Sequence, residues 1–172
     1  MNHPYYDLSV PIFLKQLQNL KGIIEKAEQF AHERNVLDEV ILQSRLAVDM
    51  FPFVRQVQIA TDNAKGTVAR LMGVDAPIME DTEVNFLQLK ERVEKTIVFL
   101  ESVKPEQFAN SATAQISFSY IPGKYFLGAD FLPLYALPNF FFHLVTAYGI
   151  LRHIGVDIGK TDYIQGTPMH DN

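Results

Sequence analysis

Apolar residues recur at alternating spacings of four and three from Phe13 through Leu17, Leu20, Ile24 and Ala27 to Ala31. Only a helix gathers such positions into one stripe, because about 3.6 residues complete a turn. A helix with a single apolar stripe must bury it against other elements, so this spacing already points to packed helices. Ser9 is placed to cap this helix, with Pro11 just inside its first turn. A second seam, Phe53, Val57, Ala60, Ala64, Val68 and Leu71, predicts a helix from near Pro52 to Met72, where Gly73 offers a stop. A third, Phe86, Leu89, Val93, Ile97 and Leu100, follows Asp81-Thr82 and ends before Lys104-Pro105. Helices of about 20 residues reach roughly 30 Å, and similar lengths suit side-by-side packing. Between the first two lies a connection from His32 to Val48, with a short helix suggested by Val36, Leu37, Val40 and Ile41. It is long enough to cross the end of a bundle.

The stretch 112–127 has a different period. Ile116, Phe118 and Tyr120 alternate with Ser117 and Ser119, Pro122-Gly123 punctuates, and Tyr125-Phe126-Leu127 follows, which predicts a small hairpin. Beyond Gly128 an apolar segment carries Pro133 and Pro138, so a broken fourth helix is expected, its longer piece starting near Pro138 and ending at Gly155. The tail 156–172 has little periodicity and is expected to wrap the surface or fray. With 172 residues and 48% of them apolar, the chain reads as one domain, 1–172, able to bury its own core. No cysteine is present, which excludes disulfides and thiolate metal sites. A net charge of −5 argues against a nucleic-acid face. The start of the chain has no signal-peptide pattern, and the most apolar stretch, 131–151, is interrupted by Pro133, Pro138 and His143. A cytoplasmic protein with no membrane partner is therefore expected.

The fourth helix is apolar on several faces, through Phe140, Phe141, Phe142, Leu144, Val145, Tyr148, Ile150 and Leu151. It is either central to the core or covered by a second copy, and a homodimer through these faces is expected. Against that background Asn139, His143, Thr146 and His153 share one stripe. The stripe is the wet side of the helix, or else His143 is a metal ligand or general base. Asn139 and His143, four apart, project from adjacent turns as a helical metal pair would. On the second helix Arg55, Gln58, Asp62 and Lys65 form a polar stripe that reads as a solvated face, with Gln56 lying off it. Asp49 precedes that helix as a cap, a turn residue or an oxygen ligand. The segment Gly155-Val-Asp-Ile-Gly159-Lys160-Thr161 has one residue too few between its glycines for a phosphate loop, and Gly155 reads as a helix stop.

The run Pro138-Asn-Phe-Phe-Phe-His143, continued by Thr146-Ala-Tyr148-Gly-Ile-Leu-Arg152-His153 and Gly155-Val-x-Ile-Gly159-Lys160, resembles an uncharacterised bacterial branch of the DinB/YfiT-like superfamily. Arg45-Leu-Ala-Val-Asp49-Met-x-Pro52, Gln56-Val-Gln58, Asp62-x-Ala-Lys65 and Ala69-Arg70-Leu71-x-Gly73 are similar to the same branch. The resemblance implies an all-α four-helix bundle in up-down-down-up order, with the hairpin between helices three and four. It also implies a divalent metal held by three histidines, one from the second helix and a His-x-x-x-His pair from the fourth; some members transfer thiol cofactors. His143 matches the second member of the pair, and Asn139 stands at the first. No histidine occurs between His32 and His143, so two of the three imidazoles are absent. Two functions follow from this. In one, a divergent small-molecule enzyme uses His143 as its catalytic residue, with a weakly held divalent metal on His143, Asn139 and Asp49. In the other, a non-catalytic binding or structural homodimer has lost the metal, and any small-molecule ligand is bound without it.

Overall fold

The computed structural model describes residues 3–170. Four long helices dominate it: Val10–Glu33, Phe53–Met72, Phe86–Glu101 and the helical run Gly128–His153. The first packs along the third, and the second packs along the fourth and also meets the third. The seams read from the sequence are the buried faces. Phe13, Leu17, Ile24, Val57, Ala60, Ala64, Val68, Leu89, Val93, Leu100 and Ile150 are all fully enclosed. Phe13 meets Phe140 edge-on with ring centroids 4.7 Å apart, tying the first helix to the fourth.

Helix ends follow local chemistry. Gly73 takes φ +72°, a left-handed conformation that costs glycine nothing, and its N–H closes the second helix on the Ala69 and Arg70 carbonyls. The third helix begins at Phe86 and is shorter than its pattern suggested, because the residues just before it are held in ion pairs described below. Asn85 caps it, its side-chain oxygen accepting from the Gln88 N–H at 2.9 Å. A short helix, Asp38–Leu42, lies in the long connection, and another, Pro4–Asp7, precedes the first long helix without a sequence signal that marked it.

The hairpin is present as two antiparallel strands, Gln115–Ser117 and Tyr125–Leu127, with Ile116 opposite Phe126. Phe118 and Tyr120 lie past the paired residues, in the turn. The expected break in the fourth helix is not there. Residues Leu132–Ala136 form a π-helical turn between α-helical Gly128–Phe131 and Leu137–His153, so the run is continuous. A wider turn absorbs one extra residue and relieves the clash between a proline ring and the carbonyls of the preceding turn, which lets Pro133 and Pro138 sit within one helix. This run is long and apolar enough by composition to cross a membrane, yet Phe140, Leu144, Ala147, Ile150 and Leu151 are buried inside the fold.

The tail wraps rather than frays through its first half. Val156 and Ile158 are buried, and the short helix Lys160–Ile164 lies on the first long helix. The Asn19 amide donates to the carbonyls of Tyr163 and Gln165 at 2.9 and 3.0 Å, and Lys26 pairs with Asp162 at 2.7 Å. Gly155, at φ +96°, is a helix stop as read.

Candidate functional site

Gln56 stands one turn into the second helix, where its backbone N–H closes on the Pro52 carbonyl. Its side-chain nitrogen donates to the Phe51 carbonyl at 3.0 Å. A carbonyl can only accept, so the amide is fixed with its oxygen facing the fourth helix. There it lies 2.7 Å from Nδ1 of His143, which must therefore carry the proton and donate. Both side chains are buried. Burial lowers the pKa of His143 from its usual value, and the nearby Arg55 guanidinium lowers it further. The ring is thus neutral at pH 7, with its lone pair on Nε2, and Phe142 packs edge-on against it at 5.2 Å.

The polar stripe of the second helix is not a solvated face. Gln58 and Lys65 are buried, and the stripe converges on Arg92 of the third helix, whose side chain is 1% exposed. The Arg92 guanidinium pairs with Asp62 at 2.7 Å, Asp81 at 3.0 Å and Glu83 at 3.0 Å, donates to the Glu80 carbonyl at 3.0 Å, and through Nε donates to the Thr61 hydroxyl at 2.8 Å. Arg55 pairs with Asp81, Gln58 donates to Glu83 at 2.7 Å, and Lys65 pairs with Asp62 at 3.0 Å. Three cations meet three carboxylates. Segment 80–83 is thereby strapped over the second and third helices, which explains why Gln58 and Lys65 of this stripe are buried while Arg55 and Asp62 stay partly exposed.

A pocket of 280 Å³ opens beside this network, between the second helix, residues 118–120 and the π turn of the fourth helix. Its wall is aromatic: Phe131 stacks near Tyr135 with centroids 5.8 Å apart, and Phe118 lies 5.5 Å from Tyr135. Tyr135 sits in the π turn itself, a device that re-aims a side chain and recurs at functional sites. Its hydroxyl and that of Tyr120 share a hydrogen bond of 2.8 Å. Partial desolvation and this bond push Tyr120 up to about 12, so its hydroxyl keeps its proton at pH 7. Arg70 lies over the Phe118 ring at 4.8 Å.

The three residues proposed from the sequence as metal ligands occupy three settings. His143 is buried and bonded to Gln56; Asn139 is half-buried and lines the aromatic pocket; Asp49 is exposed in the turn closed by the Met50 N–H on the Ala47 carbonyl. Thr146 is buried, its hydroxyl donating to the Phe142 carbonyl at 2.7 Å, whereas His153 is exposed at the helix end. The stripe is thus wet only in part. Among the described residues no three His, Cys, Asp or Glu side chains come together as a metal-binding group.

Sequence reasoning missed Arg92, Arg70 and Tyr135. Arg92 did carry a signal, since it and Thr96 flank the apolar seam of the third helix at positions that turn inward with Leu89 and Val93. Tyr135 carried none, because its direction depends on the π turn.

A family model described as a domain of unknown function, DUF1993, matches residues 5–164 of the chain. A crystal structure of a DinB family member protein from Shewanella denitrificans is 45% identical, with each chain covered completely and a TM-score of 0.94. No curated protein matches.

Proposed function

The chain belongs to the DUF1993 family and is a DinB-like protein, and from that premise we propose that it binds a small organic molecule without a resident metal ion. One observation carries this reading: the second and fourth helices, which would supply the superfamily's ligands, here meet through Gln56 and His143 in a direct hydrogen bond. With Nδ1 donating to Gln56, His143 has only Nε2 left for a metal, and a single imidazole is too few ligands to hold one tightly. Gln56 offers only an amide oxygen, already an acceptor, and neutral amides bind zinc and nickel poorly. Asp49 is exposed in its turn, Asn139 offers only another neutral amide, and among the described residues no three His, Cys, Asp or Glu side chains come together. A divalent metal of the three-histidine kind does not fit these residues, and the pair serves instead to lock the two helices in register.

The four long helices are read as an up-down-down-up bundle, with the connection through Asp38–Leu42 crossing its end. The outer face of the fourth helix supports a homodimer, since Leu134, Phe142 and Val145 are more than half exposed there. We place the protein in the cytoplasm, a reading that rests on the sequence. A single preparation made without chelators tests two statements, that no metal is resident and that the protein is a dimer. Elemental analysis is expected to give far less than one nickel, zinc or manganese per chain, and light scattering at tens of micromolar a mass of two chains. One tightly held metal per chain would remove the first statement, and a monomer the second.

A second reading has its own support. His143 is neutral and its Nε2 makes no hydrogen bond within the described residues, which is the state required of a general base. In that reading the protein is a metal-free acid–base enzyme.

A further inference from the structure

We propose that the pocket between the second helix and the π turn of the fourth is a binding site for a small planar organic anion, with an aromatic carboxylate as its simplest form. This rests on the metal-free binding reading above and adds the ligand's chemistry. Charge decides the sign. The one carboxylate in the pocket wall, Asp62, is already matched by Arg92 at 2.7 Å and Lys65 at 3.0 Å. Arg70 is in the opposite situation: no carboxylate among the described residues lies within ion-pair distance of it, and it is exposed at the pocket rim over the Phe118 ring. Gly66, one turn earlier, leaves room for its guanidinium, for a side chain there would run into the arginine nitrogen. The unmatched charge of the pocket is therefore a planar cation, whose fork of N–H donors suits a carboxylate.

The remaining groups fit the same ligand. Phe118 and Tyr135, both half-buried, present ring surface for a flat apolar body, with the buried Phe131 packed against both. Tyr120 and Tyr135 share one proton between their oxygens, so the second hydroxyl proton is free to donate to a ligand oxygen. The Asn139 amide lines the pocket and makes no hydrogen bond among the described residues. At 280 Å³ the space is at the lower end of small-ligand sites, which favours a single ring over a nucleotide or a peptide.

Protein-observed NMR titrations with benzoate, benzamide and benzylammonium separate the outcomes. Benzoate is expected to bind saturably, with shifts centred on residues 118–135 and 59–70, and benzamide at least about tenfold more weakly. Arg70→Gln is expected to lose about tenfold in benzoate affinity while leaving benzamide unchanged, a difference that general unfolding would not produce. Equal or tighter binding of benzylammonium at these residues would overturn the anion assignment and leave the binding reading intact. Benzoate affinity unaltered by Arg70→Gln, or no saturable shift at these residues up to about 10 mM, would overturn the site. Metal content, which tests the underlying reading, is independent of all these results.

Discussion

Arg92→Ala is expected to destabilise the fold by about 3 kcal/mol or more, seen as a large drop in the urea midpoint without loss of cooperativity. Arg92 is almost fully enclosed, and Glu83, which it neutralises, is 9% exposed on its side chain. Removing the guanidinium leaves that carboxylate buried without a cation and strips a partner from Asp62 and Asp81. Those two are more than a third exposed, so water recovers much of their loss, and the estimate rests mainly on Glu83, the Thr61 hydroxyl and the Glu80 carbonyl. Arg92→Ala with Glu83→Gln should therefore recover part of the stability. If Arg92→Ala costs under about 1 kcal/mol, segment 80–83 is not strapped to the helices as described.

Gly128→Ala is expected to cost a comparable amount, about 3 kcal/mol. Gly128 begins the fourth helix directly under the backbone of residue 111, and a Cβ there would overlap the Ser111 carbonyl oxygen. That carbonyl cannot step aside cheaply. The Ser111 hydroxyl donates to the Leu71 carbonyl at 2.7 Å, and the Gly128 N–H donates to the Ala114 carbonyl at 2.9 Å, so both sides of the contact are pinned. The same junction sets the hairpin and the π turn that shape the pocket. Gly22 gives the contrast: it is in mid-helix with open space around its Cα, and Gly22→Ala should stabilise by about 0.5–1 kcal/mol. Thermal melts of the two variants moving in opposite directions would check both statements.

The seams from Phe13 to Ala31 and from Phe53 to Leu71 were legible because burial of one face imposes a period that survives in the residues themselves. So were the stops at Gly73 and Gly155, where a left-handed backbone selects glycine. The π turn was not, since prolines at 133 and 138 signal trouble for a helix without saying whether it breaks or widens. At the site, His143 stood out as a polar group on an apolar helix, and the structure gives it one buried partner. That partner, Gln56, was visible only as a residue off the stripe, because pairing across 87 positions in sequence leaves no local mark. The stripe from Arg55 to Lys65 misled for a related reason. Its spacing is that of a solvated face, and only the distant Arg92, Asp81 and Glu83 make it a partly buried ionic network.

The central claim is that His143 is a neutral, Nδ1-protonated ring held by Gln56 and not a metal ligand. Its folded pKa lies below the ordinary value of 6.5, so the pair contributes stability above that pH and loses it as the pH falls and the unfolded chain takes up the proton. Long-range nitrogen–proton NMR correlations of the imidazole, followed across pH and on addition of nickel or zinc, read tautomer, protonation and ligation together. The account predicts an Nδ1–H ring that titrates below pH 6.5, is unmoved by stoichiometric metal, and loses its fixed tautomer in Gln56→Ala. A ring protonated on Nε2, or resonances displaced at one equivalent of metal, would contradict it.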